Sequence, residues 1–317
     1  MAQHFLLSTA ARTLSLAKVM RMTDDQAFDA FRSIRWAGTE GDAVCGKCGC
    51  FECYTFKARR IFKCKGCGAQ FSVTSGTIFA SRKMGLRDIL AAIAIFVNGA
   101  KGHSALQLSR DLDCQYKTAF VLTHKLREAL AAEQAASVIE GEVEVDGAYF
   151  GGYVKPANNR VDRKDRRRKI HQNGKRQVVI VARERNGETI THVAATEAAG
   201  VPFVLGNVKP GATIHADEAG HWDQLEAKYL TKRINHSEAY STPESCTNMA
   251  ESFFSRIRRA EIGIHHHIAG RYLSAYATEM AWREDNRRIS NGEQFLLATS
   301  SALAHPVSRQ WKGYWQR

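Results

Sequence analysis

The chain has 317 residues, 44% hydrophobic and 24% charged, which is the composition of an ordinary globular protein with room for about two domains. Its formal net charge of +13 is unusual and indicates a polyanionic partner, with nucleic acid ahead of an anionic membrane. No stretch approaches about 18 consecutive apolar residues, so a membrane-spanning helix is excluded, and nothing signals secretion.

The first 40 residues are predicted to form an N-terminal helical arm. Thr23 is a good N-cap, and two acidic residues follow it in the first turn. Phe28 and Phe31 then recur at helical spacing. We expect a helix over about 24–34.

The next segment, 41–80, has the cysteine spacing of a zinc ribbon. Two C-x-x-C pairs, each followed by glycine, are separated by 15 residues with strand-like character. Because nothing signals an oxidising compartment, metal binding explains these cysteines better than disulfides. The predicted ligands of one structural Zn²⁺ are Cys45, Cys48, Cys64 and Cys67. Cys50 and Cys53 form a competing pair, which lacks the second glycine and leaves a shorter loop.

Residues 81–135 are predicted to be a small helical module. An apolar helix spans 86–98, and two more helices flank a tight polar turn at 111–115. This arrangement is similar to a helix-turn-helix with 116–130 as its recognition helix, and a plain three-helix bundle is the alternative. The basic side chains that favour DNA binding are His124, Lys117, Lys125 and Arg127.

The pattern changes to alternating strands at Glu142. Three strands are followed by helix, strand, helix, strand and helix, which is the order of a ribonuclease H-like α/β domain. We place this domain at 140–295, with its last helix over 272–288, and a C-terminal tail at 296–317. The fold class is therefore α/β, with a ribonuclease H-like domain preceded by a zinc ribbon and a helix-turn-helix-like module.

Three carboxylates are expected to meet at one edge of this sheet. Asp146 ends the first strand, Asp217 ends the fourth, and Glu251 lies in the first turns of the following helix. Clustered carboxylates repel one another unless cations hold them, and Mg²⁺ prefers such oxygen ligands. Glu144 is an alternative first ligand, and Glu218 is an alternative to Asp217.

Between two of the strands, residues 155–176 are polar and rich in Arg and Lys. Such a run is either a solvated loop or a flexible loop that grips phosphates. Its candidate DNA contacts are Arg163, Lys164, Arg166, Arg167 and Arg168.

Taken together, these motifs resemble the zinc-ribbon DDE transposases of small bacterial insertion sequences. The likeness covers roughly residues 23–290 and rests on the cysteine ribbon, the Asp146, Asp217 and Glu251 set, and the segments around 76–79, 117–120, 235–237 and 248–254. It implies a Mg²⁺-dependent (or Mn²⁺-dependent) enzyme that binds the ends of a mobile element, cleaves 3′ ends and joins them to target DNA.

The resemblance also assigns roles outside the acids. Arg258, seven residues after Glu251, matches a basic position that meets the DNA end, and Arg283 and Arg287 match a terminal Glu/Arg signature with Glu279. An ordinary surface ion-pair ladder is the alternative for that row. The chain departs from the family by carrying Gly147 where Glu often follows the first Asp.

The expected partners are double-stranded DNA, as element ends and target, and further copies of the chain in a homo-oligomer, with no membrane. We expect a cytoplasmic, nucleoid-associated protein. The alternative function is a domesticated or regulatory zinc-ribbon DNA-binding protein without catalysis, which the intact acid set disfavours.

Overall fold

The chain folds into two compact units, seen here in a computed structural model. One unit comprises Met1–Glu133 with Asn286–Arg317, and the other comprises Gln134–Asp285. The structure describes residues 5–135, 137–151, 157–165, 169–171, 174–185, 187–235 and 246–313. None of the helices within these ranges is long and apolar enough to cross a bilayer.

The described residues form helices and strands in the order expected from the sequence. The strands are β1 (Cys53–Phe56), β2 (Ile61–Cys64), β3 (Gln70–Ser72), β4 (Glu142–Gly151), β5 (Arg176–Glu184), β6 (Thr189–Ala194), β7 (Thr213–Asp217) and β8 (Leu230–Ile234). The α-helices are α1 (Leu16–Met20), α2 (Asp24–Arg35), α3 (Leu86–Asn98), α4 (Ala105–Asp111), α5 (Tyr116–Gln134), α6 (Val201–Asn207), α7 (Asn248–Ala260), α8 (Leu273–Asp285) and α9 (Asn291–Ala304).

In the first unit, the small antiparallel sheet β1-β2-β3 packs on helix α2 through aromatic rings. Thr23 and Gln26 form a reciprocal capping box that starts α2 where the sequence predicts. Phe62 of β2 is fully buried, and its ring lies 5.9 Å from that of Phe28 and 5.2 Å from that of Trp36. The ribbon therefore shares its core with the helix that precedes it.

The C-terminal residues are not a tail, and this corrects the boundary drawn at 295–296. Residues 291–304 form helix α9, which begins with a capping box at Ser290 and packs against α2 and α3. Asn291 anchors the N-terminus of α9, because its side-chain amide donates to Asn98 Oδ1 at 2.9 Å and to the Leu14 carbonyl at 3.0 Å. The sequence pattern missed this helix because it packs against α2 and α3, which lie far away in the sequence.

The second unit is built on a five-stranded mixed sheet in the order β6-β5-β4-β7-β8. β5 runs antiparallel to β4 and β6, whereas β4, β7 and β8 are parallel. This order and direction define a ribonuclease H-like fold, and they confirm the predicted fold class. The long β4 lies at the centre and pairs with a neighbour on each side.

Side-chain alternation along β4 assigns its residues to the two faces of the sheet. Val143 and Val145 join the core formed with α6 and Trp222. Ala148 and Phe150 join the opposite core, formed with α7 and α8. Asp146 alternates with the second set, so it lies on the α7 face.

Candidate active site and zinc centre

Asp146 and Asp217 lie side by side on neighbouring parallel strands. The β4–β7 register pairs Glu142 with Thr213 and Glu144 with His215. Continuing that offset of 71 positions brings Asp146 level with Asp217, and residues that pair across strands share a face. β7 ends at Asp217 whereas β4 continues to Gly151, so both carboxylates lie where the sheet opens.

The negative charges of the other predicted acids act on Asp146. Its pKa is raised to about 7, first by burial and then by the negative charges of Asp217, Glu197 and Glu251, although the Gly147 N–H donates to its Oδ1 at 2.7 Å and opposes the shift. Neither Asp146 nor Asp217 forms an ion pair with any residue that the structure describes. Among the described residues, no three of these carboxylates lie within 4.8 Å of one another as the ribbon cysteines do, but a hard divalent cation would neutralise their charges.

Glu144, the alternative first ligand, has a different task. Its side chain is fully buried, and its Oε2 accepts hydrogen bonds from the backbone N–H groups of Met249 at 2.7 Å and Ala250 at 3.2 Å. These donors belong to the first turn of α7, which the carboxylate caps in the manner of an N-cap anion. Arg185 holds the other oxygen at 3.3 Å. Glu144 thus ties the strand of Asp146 to the helix of Glu251.

We expect the Glu144→Gln variant to lose stability and to weaken Mn²⁺ binding. One amide oxygen can still accept from α7, but the charge that complements Arg185 and the helix start is lost, at a cost of about 1–3 kcal/mol. Urea unfolding measures this loss. Glu142→Gln is the matched control, because Glu142 also pairs with Arg185 but is half-exposed. Equal stability of the two variants would contradict the capping role.

Two side chains that the sequence analysis missed lie beside the acids. Glu197 precedes α6, and its charge acts on Asp146. His221 follows β7, with its Nε2 3.7 Å from Glu197 Oε2, and burial lowers its pKa. Neither residue belongs to a motif, so sequence patterns carried no signal for them. Glu218, the other alternative, is exposed.

The predicted zinc ligands converge in the ribbon. The four sulfur atoms of Cys45, Cys48, Cys64 and Cys67 all lie within 4.8 Å of one another. The pKa of Cys45 is lowered to about 6, chiefly because the backbone N–H groups of Cys48 and then Lys47 donate to its sulfur. The pKa of Cys48 is raised instead, because the Cys50 N–H, which lowers it, is outweighed by hydrogen bonds with the thiols of Cys64 and Cys67. Four sulfur atoms at this spacing suit one tetrahedral Zn²⁺, which would stabilise them as thiolates. The competing Cys50 instead directs its thiol toward the Glu52 carbonyl at 3.7 Å.

The predicted recognition helix exposes only part of its basic residues. Lys117 is exposed and Lys125 is half-buried, which lowers the pKa of its amine. Arg127 is 2% exposed, and its guanidinium lies 5.9 Å from the centre of the Phe96 ring. His124 is buried as well. The prediction that Arg127 contacts DNA is therefore wrong for this arrangement, because the helix turns that face into the protein.

The Glu/Arg row of the last catalytic-domain helix also needs correction. Arg283 is buried and pairs with buried Glu279 at 2.8 Å, so it stabilises the interior and cannot reach DNA. α8 ends at Asp285, which leaves Arg287 beyond the helix and out of the predicted row. Arg258, by contrast, is exposed on α7, 5.8 Å from the centre of the Phe150 ring.

Two of the predicted DNA contacts in the basic run lie within the described residues. Arg163 and Lys164 are exposed, and Arg163 donates to the Ala157 carbonyl at 3.2 Å. Arg166, Arg167 and Arg168 lie outside the described residues.

Comparison with known proteins agrees with this architecture. Over 297 residues the chain is 23% identical to a protein of Halobacterium salinarum described as an uncharacterized protein in transposable element ISH50, covering 89% of this chain and 98% of that one. A solved structure, the Mos1 strand transfer complex, aligns over 70% of this chain and 76% of its own at 12% identity. Its TM-score of 0.24 is too low to establish a common fold.

Fold and acids together define a ribonuclease H-like domain joined to a four-cysteine ribbon. Residues 22–70 match the transposase zinc-ribbon domain, and residues 138–285 match the ISXO2-like transposase domain. The chain belongs to the zinc-ribbon DDE transposases of insertion sequences, as its motifs predict.

Proposed function

We propose that this protein is a DNA transposase that binds the ends of a mobile element, cleaves their 3′ ends and joins them to target DNA. The observation that carries this proposal is the β4–β7 register, which ends at the Glu144–His215 pair and, continued by two residues, brings Asp146 level with Asp217. Glu251 lies on a helix that is anchored to the same sheet. Phosphoryl transfer needs acids positioned in this way more than it needs covalent chemistry from the protein.

Asp146, Asp217 and Glu251 would hold Mg²⁺ or Mn²⁺. When bound, such ions activate the attacking hydroxyl or water and stabilise the leaving oxygen of an in-line displacement. The chain's own contribution is to hold the carboxylates rigidly. Asp146 is oriented by the Gly147 N–H, and Asp217 accepts from the Ala219 N–H at 3.2 Å. Glu251 is positioned through the capped start of α7.

Binding of DNA would fall mainly to exposed basic residues. A net charge of +13 supports a double-stranded DNA partner. Arg258 extends from the same helix as Glu251 and suits contact with the DNA end near the acids, while Lys117, Arg163 and Lys164 suit phosphate contacts further out. We assign end recognition to the zinc ribbon and helical module and propose a homo-oligomer that pairs two ends.

An end-joining assay tests this function. A labelled duplex that carries the element's end is incubated with protein and Mg²⁺, and 3′ nicking and joined products are expected from the wild type. Asp217→Asn should lower both by on the order of 10³-fold. Glu218→Gln is the matched control, because it removes the exposed neighbouring acid and should leave joining unchanged. Binding without cleavage by the wild type would favour the regulatory alternative.

A further inference from the structure

The Glu197 side chain fills the space that a side chain at position 147 would need, on the face of the sheet opposite Asp146. A Cβ added to Gly147 would lie 2.5 Å from Glu197 Cγ, 3.0 Å from its Cδ and 3.2 Å from its Oε1. The backbone of Gly147 does not lie in the left-handed region. Glycine is therefore required here by the Glu197 side chain and not by backbone conformation.

The position of Glu197 brings its carboxylate to the catalytic acids. Residue 147 directly follows Asp146, and its N–H donates to Asp146 Oδ1 at 2.7 Å, so the Glu197 side chain over Gly147 lies near the Asp146 carboxylate. The negative charge of Glu197 acts on Asp146, and that of Asp217 acts on Glu197. Its approach comes from the α6 side, whereas Glu251 approaches from the α7 side.

His221 is a polar, partly buried neighbour of Glu197. The Nε2 of His221 is shielded from solvent, has no hydrogen-bond partner among the described residues, and faces Glu197 Oε2 at 3.7 Å. The negative charge of Asp217 acts on both His221 and Glu197, which places the pair beside that carboxylate.

We propose that Glu197 is a fourth carboxylate of the metal site and that Gly147 leaves the space its side chain needs. This inference rests on the proposed function, since it assigns another residue to the same cation. Carboxylates that support a metal from outside the primary ligands tune its affinity by about 10–100-fold. Glu197 would thus contribute either a direct oxygen or a water-mediated one, from a side of the sheet that the three predicted acids do not occupy.

The test is Mn²⁺ binding by isothermal titration calorimetry without DNA, alongside end joining. We expect Glu197→Gln to weaken Mn²⁺ affinity by about 10-fold or more. Gly147→Ala should weaken it similarly, because the added methyl group displaces the Glu197 side chain. In the double variant the two effects should not add, since Gly147→Ala acts through Glu197. Glu226→Gln, an exposed acid between β7 and β8, is the control and should bind normally.

The experiment distinguishes a failure of the Glu197 inference from a failure of the proposed function. Wild-type Mn²⁺ affinity and joining in Glu197→Gln would overturn this inference and leave the proposed function intact. Additive losses in the double variant would also overturn it, because Gly147 would then act independently of Glu197. If Asp217→Asn binds Mn²⁺ as the wild type does and the wild type joins no ends, the proposed function itself fails. Thermal unfolding of each variant without metal checks that the fold is retained.

Discussion

Asp146→Asn is expected to abolish end joining and yet to make the metal-free protein more stable at pH 8. Loss of joining should be on the order of 10³-fold, because a metal ligand is removed from a site whose members act together. The gain in stability arises because burial and the charges of Asp217, Glu197 and Glu251 disfavour the ionised form of Asp146. Function and stability therefore oppose each other at this residue.

The pH dependence follows from the direction of the shift. In the folded protein the pKa of Asp146 is raised from 3.8 to about 7, so its stabilising contribution is fully present below pH 3.8 and is lost as pH rises through about 7. At 1.36 kcal/mol per pKa unit, this loss is about 4 kcal/mol. Asparagine carries no charge, so the variant should match the wild type near pH 4 and exceed it at pH 8.

Urea unfolding at pH 4, 6 and 8, in buffer with chelator, measures this difference. Glu226→Gln removes an exposed acid and should follow the wild type at every pH. Added Mn²⁺ should stabilise the wild type by about 2.7 kcal/mol at 100 times its dissociation constant, and Asp146→Asn by much less. Parallel pH profiles of the wild type and Asp146→Asn would show that the carboxylates do not repel one another in the folded state.

Loss of zinc should unfold the ribbon. Structural zinc supplies roughly 10–16 kcal/mol to small zinc modules, far more than three short strands can provide alone. Cys64 is buried at the end of β2, next to Phe62, whose ring packs on Phe28 of α2. We therefore expect Cys64→Ser to retain less than about a tenth of the wild-type zinc, to lose ribbon structure and to loosen α2.

Cys50→Ser is the matched control for this prediction. Its sulfur lies outside the four-sulfur cluster, so the variant should keep one zinc per chain and the wild-type melting temperature. Metal content by mass spectrometry and thermal unfolding measure both variants. Zinc retained by Cys64→Ser but lost by Cys50→Ser would reverse the ligand assignment.

Local sequence determined those features that depend on nearest neighbours. The C-x-x-C turns specify the ribbon because each turn presents two of the four thiolates to one shared metal through local backbone geometry. The capping box at Thr23 starts α2 for the same local reason. Alternation along β4 separated Val143 and Val145 from Asp146, so the strand and its two faces followed from periodicity.

Tertiary structure alone decided the roles of residues that look alike in sequence. Glu144 and Asp146 are both acids on one face of one strand, but only Glu144 lies under the N-terminus of α7. Arg127 is as basic as Lys117, yet packing buries it against Phe96. Glu197 reaches the acids only because Gly147 leaves space more than 40 positions earlier in the chain. Burial and long-range contact set these roles, and neither is encoded in local spacing.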